Sequence, residues 1–249
     1  MYNNKLVLET GADISFPQGR LVFKQPSIKE IALFGESLAF SAAEFLNFNA
    51  NMLRIADKKV LGDKTDFDIL MIILQSDDPK VVEQREHALD LLQLLCPDYQ
   101  IILLPTHITF TRTIESSQES GILDRTNFED FKEIIDAIFC LTELTEKSGD
   151  RQYKPANQQA ALLAQKFQAR RKKLKQLKGE DKESKSMFSR IISILSVGLH
   201  IDILTLSNYT IYQLMDSYNR FILKQNHDAW FKMKVAGAEK LDDPKPWMA

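Results

Sequence analysis

The residues from which a metal site or a nucleophile would be built are few in this chain: His87, His107, His200, His227, Cys96 and Cys140. Zinc and other transition metals need such ligands at close, repeated spacings, because one turn or one helix face must present at least two of them to the same ion. Here they are scattered, and no CxxC or HExxH occurs. Phosphate cradles need clustered glycines whose backbone N–H groups can approach an anion. The nine glycines form neither GxGxxG nor GxxxxGK[ST], and there is no GxSxG elbow to hold a nucleophilic serine. The adjacent acids Asp77-Asp78 and Asp242-Asp243 would diverge on any regular element, so they read as caps and turns rather than as an acid/base pair. The expectation is a protein that is not an enzyme and takes no metal or cofactor.

The charged and aromatic clusters suggest binding. Lys166, Arg170, Arg171, Lys172, Lys173, Lys175 and Lys178 occur without an acid between them, the pattern of a nucleic-acid or protein docking surface. Glu180, Asp181 and Glu183 follow at once, no aromatic is interleaved after Phe167, and the formal net charge is -2. Nucleic acid is therefore the weaker reading of this stretch. A second cluster, Tyr218, Phe221, Trp230 and Phe231 with Trp247 in the tail, offers candidate contacts for a protein partner; core packing is the competing meaning of the same spacing. Cys96 and Cys140 lie in apolar stretches and suit a reducing compartment as packed thiols. No apolar run approaches the roughly 20 residues of a membrane span, and residues 1–20 mix charges through any signal-like stretch, so a soluble, cytoplasmic protein is expected.

The elements that would carry these residues are mainly helical, a mainly α (α+β) fold with a small N-terminal strand pair and a β-hairpin in the first half. Leu6-Val7-Leu8 and Leu21-Val22-Phe23 read as strands separated by Gly11, Pro17 and Gly19. Ser27 with Glu30 is a capping box that opens a helix faced by Ile28, Ile31, Ala32 and Leu33, and Gly35 breaks it from a second. Helices are expected over 67–74 and from Asp78-Pro79 to Pro97. A hairpin is expected over 99–114, then an amphipathic helix capped by Asn127. Further on, Ser186 should cap a helix with Phe188, Ile191, Ile192, Leu195 and Leu199 inside, and Ser207 or Asn208 should cap the last one, which Gly237 stops. The polar stretch 147–155 divides a mixed α+β lobe, 1–147, from an all-helical lobe, 156–249.

Two stretches carry a family resemblance: Gln25-Pro26-Ser27-Ile28-Lys29-Glu30-Ile31-Ala32-Leu33-Phe34-Gly35-Glu36, and the end from Thr210-Ile211-Tyr212-Gln213-Leu214 through Trp230 and Ala236-Gly237-Ala238 to Trp247-Met248. Both resemble the tail assembly chaperones of long-tailed bacteriophages. The resemblance implies a non-enzymatic helper, made in the cytoplasm of the infected host, that binds tape measure or tail tube subunits and shields them until the tail polymerises. The strand-rich Tyr99–Ile114 insertion and the basic helix at Lys166 depart from a minimal helical chaperone, which leaves open a structural subunit retained in the virion's tail, neck or baseplate. A homo-oligomer is also open.

Overall fold

The computed structural model describes residues 5–49, 64–114, 117–142, 186–237 and 243. The chain begins with α1 (Lys5–Thr10), so the Leu6-Val7-Leu8 run is helical and not a strand. Tertiary contacts override its β propensity. Leu8 is buried, Gln25 Nε2 donates to Val7 O at 2.9 Å, and Gln213 Nε2 donates to Glu9 O at 2.9 Å, so side chains from distant segments satisfy the helix's last carbonyls.

The strand pair is β1 (Ile14–Phe16) and β2 (Leu21–Phe23), antiparallel with Ile14 opposite Phe23 and joined by a 3-10 turn at Pro17–Gly19. Ile14, Phe16, Leu21 and Phe23 all point into the core, as the period of two requires. Ser27 and Glu30 form the expected capping box at the start of α2 (Ile28–Phe34), and Gly35, at φ 104°, separates it from α3 (Glu36–Leu46). Leu33, expected on the inner face of α2, is 81% exposed; Ile28 and Ile31 alone carry that face inward among the buried residues of α2.

α4 (Asp66–Leu74) opens on a second box, Thr65 with Asp68, and α5 (Pro79–Leu95) is capped by Asp78. The expected hairpin is β3 (Gln100–Leu103) with β4 (Ile108–Ile114), and a strand without a clear sequence signal, β5 (Ser117–Leu123), completes the antiparallel sheet β3-β4-β5. α6 (Phe128–Phe139) turns its apolar stripe fully inward. Asn127 stands at its N-cap but does not cap it: Oδ1 accepts from Asp124 N at 3.0 Å, and Nδ2 donates to Ile122 O at 2.9 Å and to Gln18 O at 3.4 Å.

The boundary expected at 147–155 lies outside the described residues. Beyond it come α7 (Met187–Leu199), capped by Ser186, then α8 (Ile203–Ser207), capped by Asp202, and α9 (Ile211–Val235). The cap of α9 is Thr210, boxed with Gln213, and neither Ser207 nor Asn208, because α8 occupies the residues just before it. Leu199, expected inside α7, is 37% exposed, since the buried stripe of that helix is Phe188, Ile191 and Leu195.

One core runs through all these elements. Phe16, Phe23, Phe131, Phe128 and Phe67 stack ring to ring at centroid separations of 5.2–6.1 Å. Phe40 of α3 meets both Phe139 of α6 and Phe188 of α7, joining the C-terminal helices to the same core. Each such pair adds about 0.5–1.5 kcal/mol beyond the area it buries.

Candidate functional site

The segment that leads into the C-terminal helices is held from the first half. Glu36, in the first turn of α3, accepts a hydrogen bond from Ser186 Oγ and another from Met187 N at 2.9 Å, so its carboxylate holds the cap hydroxyl and the first N–H of α7. Between α2, α7 and α8 lies a mostly apolar groove of about 310 Å³, walled by Ile28, Ala32, Phe188, Ile192 and Ile203. Ile203, on the wall of this groove, is 55% exposed; its neighbour in α8, Leu204, is 73% exposed, and Val197 near the end of α7 is 75% exposed. Burying a fully exposed leucine or isoleucine gains about 1.5–3 kcal/mol, and covering these partly exposed side chains gains a share of that in proportion to the surface removed.

A second hollow, about 490 Å³, lies between α1 and the first turns of α9. It is polar. Arg220 pairs with Asp216 at 2.7 Å and with Glu9 at 3.2 Å, and Tyr209, Tyr212, Gln213 and Ser217 complete the wall. The ions are partners of one another across the hollow and hold α1 against α9.

The aromatic residues singled out from the sequence are distributed along α9. Tyr218 and Phe221 are half-buried against the core, and the Phe221 ring lies so close to Gly198 that a Cβ there would sit 2.4 Å from it. Trp230 is half-buried beside His227, with Lys234 Nζ 5.9 Å from its ring centre, and its indole N–H is buried without a hydrogen-bond partner among the described residues. Phe231 is 57% exposed. Trp247 and the whole basic stretch, Lys166, Arg170, Arg171, Lys172, Lys173, Lys175 and Lys178, lie outside the described residues. The exposed corner at Val197, Ile203 and Leu204 was missed in the sequence, where Val197 and Leu204 fit an ordinary apolar stripe.

Two buried ionisable positions among the described residues have clear surroundings. Cys96 and Cys140 are buried, and burial, with Asp98 adding to it, pushes the Cys96 thiol up to about 12, where it is inert at neutral pH. Lys132 is 8% exposed and bridges Asp66 at 2.9 Å and Glu129 at 2.8 Å; burial works against its charge, but the bonds to Glu129 and Asp66 hold its pKa above the usual lysine value. Among the described residues no group of three His, Cys, Asp or Glu side chains could hold a metal ion, and no helix is long and apolar enough to cross a membrane.

Fold and surface together define a mainly α protein with two small antiparallel sheets and an apolar helical corner near its C-terminal end. The family model described as the YomV second domain matches residues 180–249, the part of the chain that contains α7, α8 and α9. That family is phage-derived, and the match points to a phage protein. No curated protein and no solved structure matches the chain.

Proposed function

We propose that this chain is a non-enzymatic, protein-binding factor of phage tail assembly, acting in the host cytoplasm to shield tape measure or tail tube subunits before they polymerise. The observation that carries the binding part is the open apolar corner of Val197, Ile203 and Leu204 beside the groove walled by Phe188 and Ile192. It lies within the segment similar to the phage-derived family. A groove of this composition suits the apolar face of an amphipathic helix, the mode in which residues at i, i+3 and i+4 anchor into a neighbouring helix pair. Tape measure and tail tube subunits enter through the resemblance of Gln25–Glu36 and of the stretch from Thr210 onward to tail assembly chaperones.

The test is co-expression of the full chain with the neighbouring tail proteins, affinity capture, and mass spectrometry of what is retained, repeated with an Ile203→Asp, Leu204→Asp variant. Retention of a tape measure or tail tube subunit by the wild type and its loss in the variant support the reading. Capture that is unchanged by the variant removes the corner from the binding surface. Recovery of the chain as a stoichiometric part of purified virions would replace the transient helper with a structural subunit.

A further inference from the structure

The groove between α2, α7 and α8 has charge on its rim as well as apolar surface on its walls. Its volume of about 310 Å³ is about twice the roughly 150 Å³ that encloses a benzene ring. Two large apolar side chains therefore fit it, the number that a helix sets side by side at i and i+4. Ala32 on one wall and Ser189 and Ser193 on the other are small, which leaves room for the backbone of such a helix to approach.

The charges of the rim select among helices. Lys29 stands three residues before Ala32 on α2, and Arg190 three before Ser193 on α7, so each cation neighbours a wall residue of its own helix. Both are exposed, and neither has an ion-pair partner among the described residues. The acids nearby are engaged with backbone N–H groups at helix starts. Glu36 accepts from Met187 N, and Asp202 Oδ2 accepts from Leu204 N at 2.9 Å. The unmatched charge is thus positive, one cation on each wall. We propose that the groove takes an amphipathic helix of a partner protein whose apolar stripe is flanked on both sides by acidic residues, Lys29 meeting one flank and Arg190 the other. This rests on the reading of the groove as the chain's binding surface, and it adds the chemistry that selects the occupant. A helix with basic flanks brings like charges to both walls and is rejected, so the two cations act on specificity and rate of encounter more than on affinity.

The experiment is fluorescence anisotropy of the full chain with two synthetic helical peptides that share one leucine stripe, the first flanked by glutamates and the second by lysines. Wild type should bind the acidic peptide about tenfold more tightly at low salt, with the gap narrowing at high salt. The double variant K29E, R190E should prefer the basic peptide; that inversion also shows that the variant is folded. Ile203→Asp should weaken both. Equal binding of the two peptides by wild type, or a preference that the double variant keeps, would overturn the acidic occupant while leaving the groove as a binding surface chosen by apolar contact alone. Binding that Ile203→Asp leaves unchanged would overturn the groove itself and both readings with it. Failure to bind either peptide, or a peptide-free chain that dimerises until Ile203→Asp is introduced, would overturn the acidic helix, and capture of tail subunits in co-expression then judges the broader reading separately.

Discussion

The Gly121→Ala exchange probes a close approach between β5 and the β1–β2 hairpin. Gly121 lies in β5 opposite Phe110, and a Cβ there would sit 2.5 Å from Gly19 O and 2.4 Å from Leu21 Cδ2. Removing a glycine from a strand is by itself favourable by about 0.5–1 kcal/mol, through the entropy of the unfolded chain. Forcing a methyl group into filled space costs about 1–3 kcal/mol. The upper end applies, because one obstacle is backbone and the other, Leu21, is 2% exposed and walled in by the hairpin's own core face. The net loss is about 2 kcal/mol, which in a chain of this size lowers the melting temperature by about 4–8 °C. Shortening the neighbour in a Leu21→Ala background should not rescue the loss, since the Gly19 carbonyl remains. The assay is a calorimetric melt of the four proteins of this cycle. An unchanged or raised melting temperature for Gly121→Ala would refute the close contact between β5 and the turn at Pro17–Gly19.

Thr210→Ala should cost about 1 kcal/mol in urea denaturation, the usual worth of an N-cap, whereas Asn208→Ala should stay within about 0.5 kcal/mol; equal effects would mean that Thr210 is not the cap. Lys132→Ala leaves Asp66 partly buried without its cation and should cost about 2–3 kcal/mol, while Arg125→Ala, whose partner Asp68 it meets at the surface, should cost under about 1 kcal/mol by the same assay. The Thr126 hydroxyl, at 2.6 Å, and then the Thr126 N–H, at 2.8 Å, hold the Asp124 carboxyl below the ordinary 3.8 against the upward pull of burial. A depressed carboxyl stabilises the fold above its unfolded value and loses that contribution as pH falls through the folded one. Thr126→Val should therefore be less stable than wild type at neutral pH, with the gap closing below about pH 4; a gap independent of pH would exclude Asp124 as its source.

The parts of the fold legible in the sequence are those where one local rule suffices. Ser27 with Glu30 and Asp78 with Pro79 announce helices because the capping chemistry is contained in four residues. The alternation of Ile108, Phe110 and Arg112 with threonines marks β4 because a sheet face repeats every second residue. β5 was not legible: in Ser117–Leu123 only Gly121 and Leu123 are buried, so a strand exposed over most of its length carries almost no apolar pattern, and its place is set by the pairing with β4. α1 was misread for a related reason, since its last carbonyls are satisfied by Gln25 and Gln213, 18 and 204 residues away in sequence from the atoms they bond. Exposure was the hardest property to read. Leu33, Val197 and Leu204 have the composition of core residues, and only the arrangement of α2, α7 and α8 leaves them outside.

The two stretches that carry the family resemblance meet in space. Ile28 N donates to Tyr209 O at 2.8 Å, and Ser27 and Thr210 form an antiparallel bridge, so the caps of α2 and α9 stand back to back. Gln213 closes its capping box by accepting from Thr210 N at 2.9 Å through Oε1, while its Nε2 reaches Glu9 O. One amide thereby fixes the start of α9 and the end of α1 together. Because a helix is stiff over its roughly 37 Å, fixing its first turn aims its exposed end, including Phe231 and Val235. The direction of that end is thus set by hydrogen bonds at Ser27, Thr210 and Gln213, far along the helix from the apolar residues it presents, and a surface aimed in this way loses little freedom when it is covered.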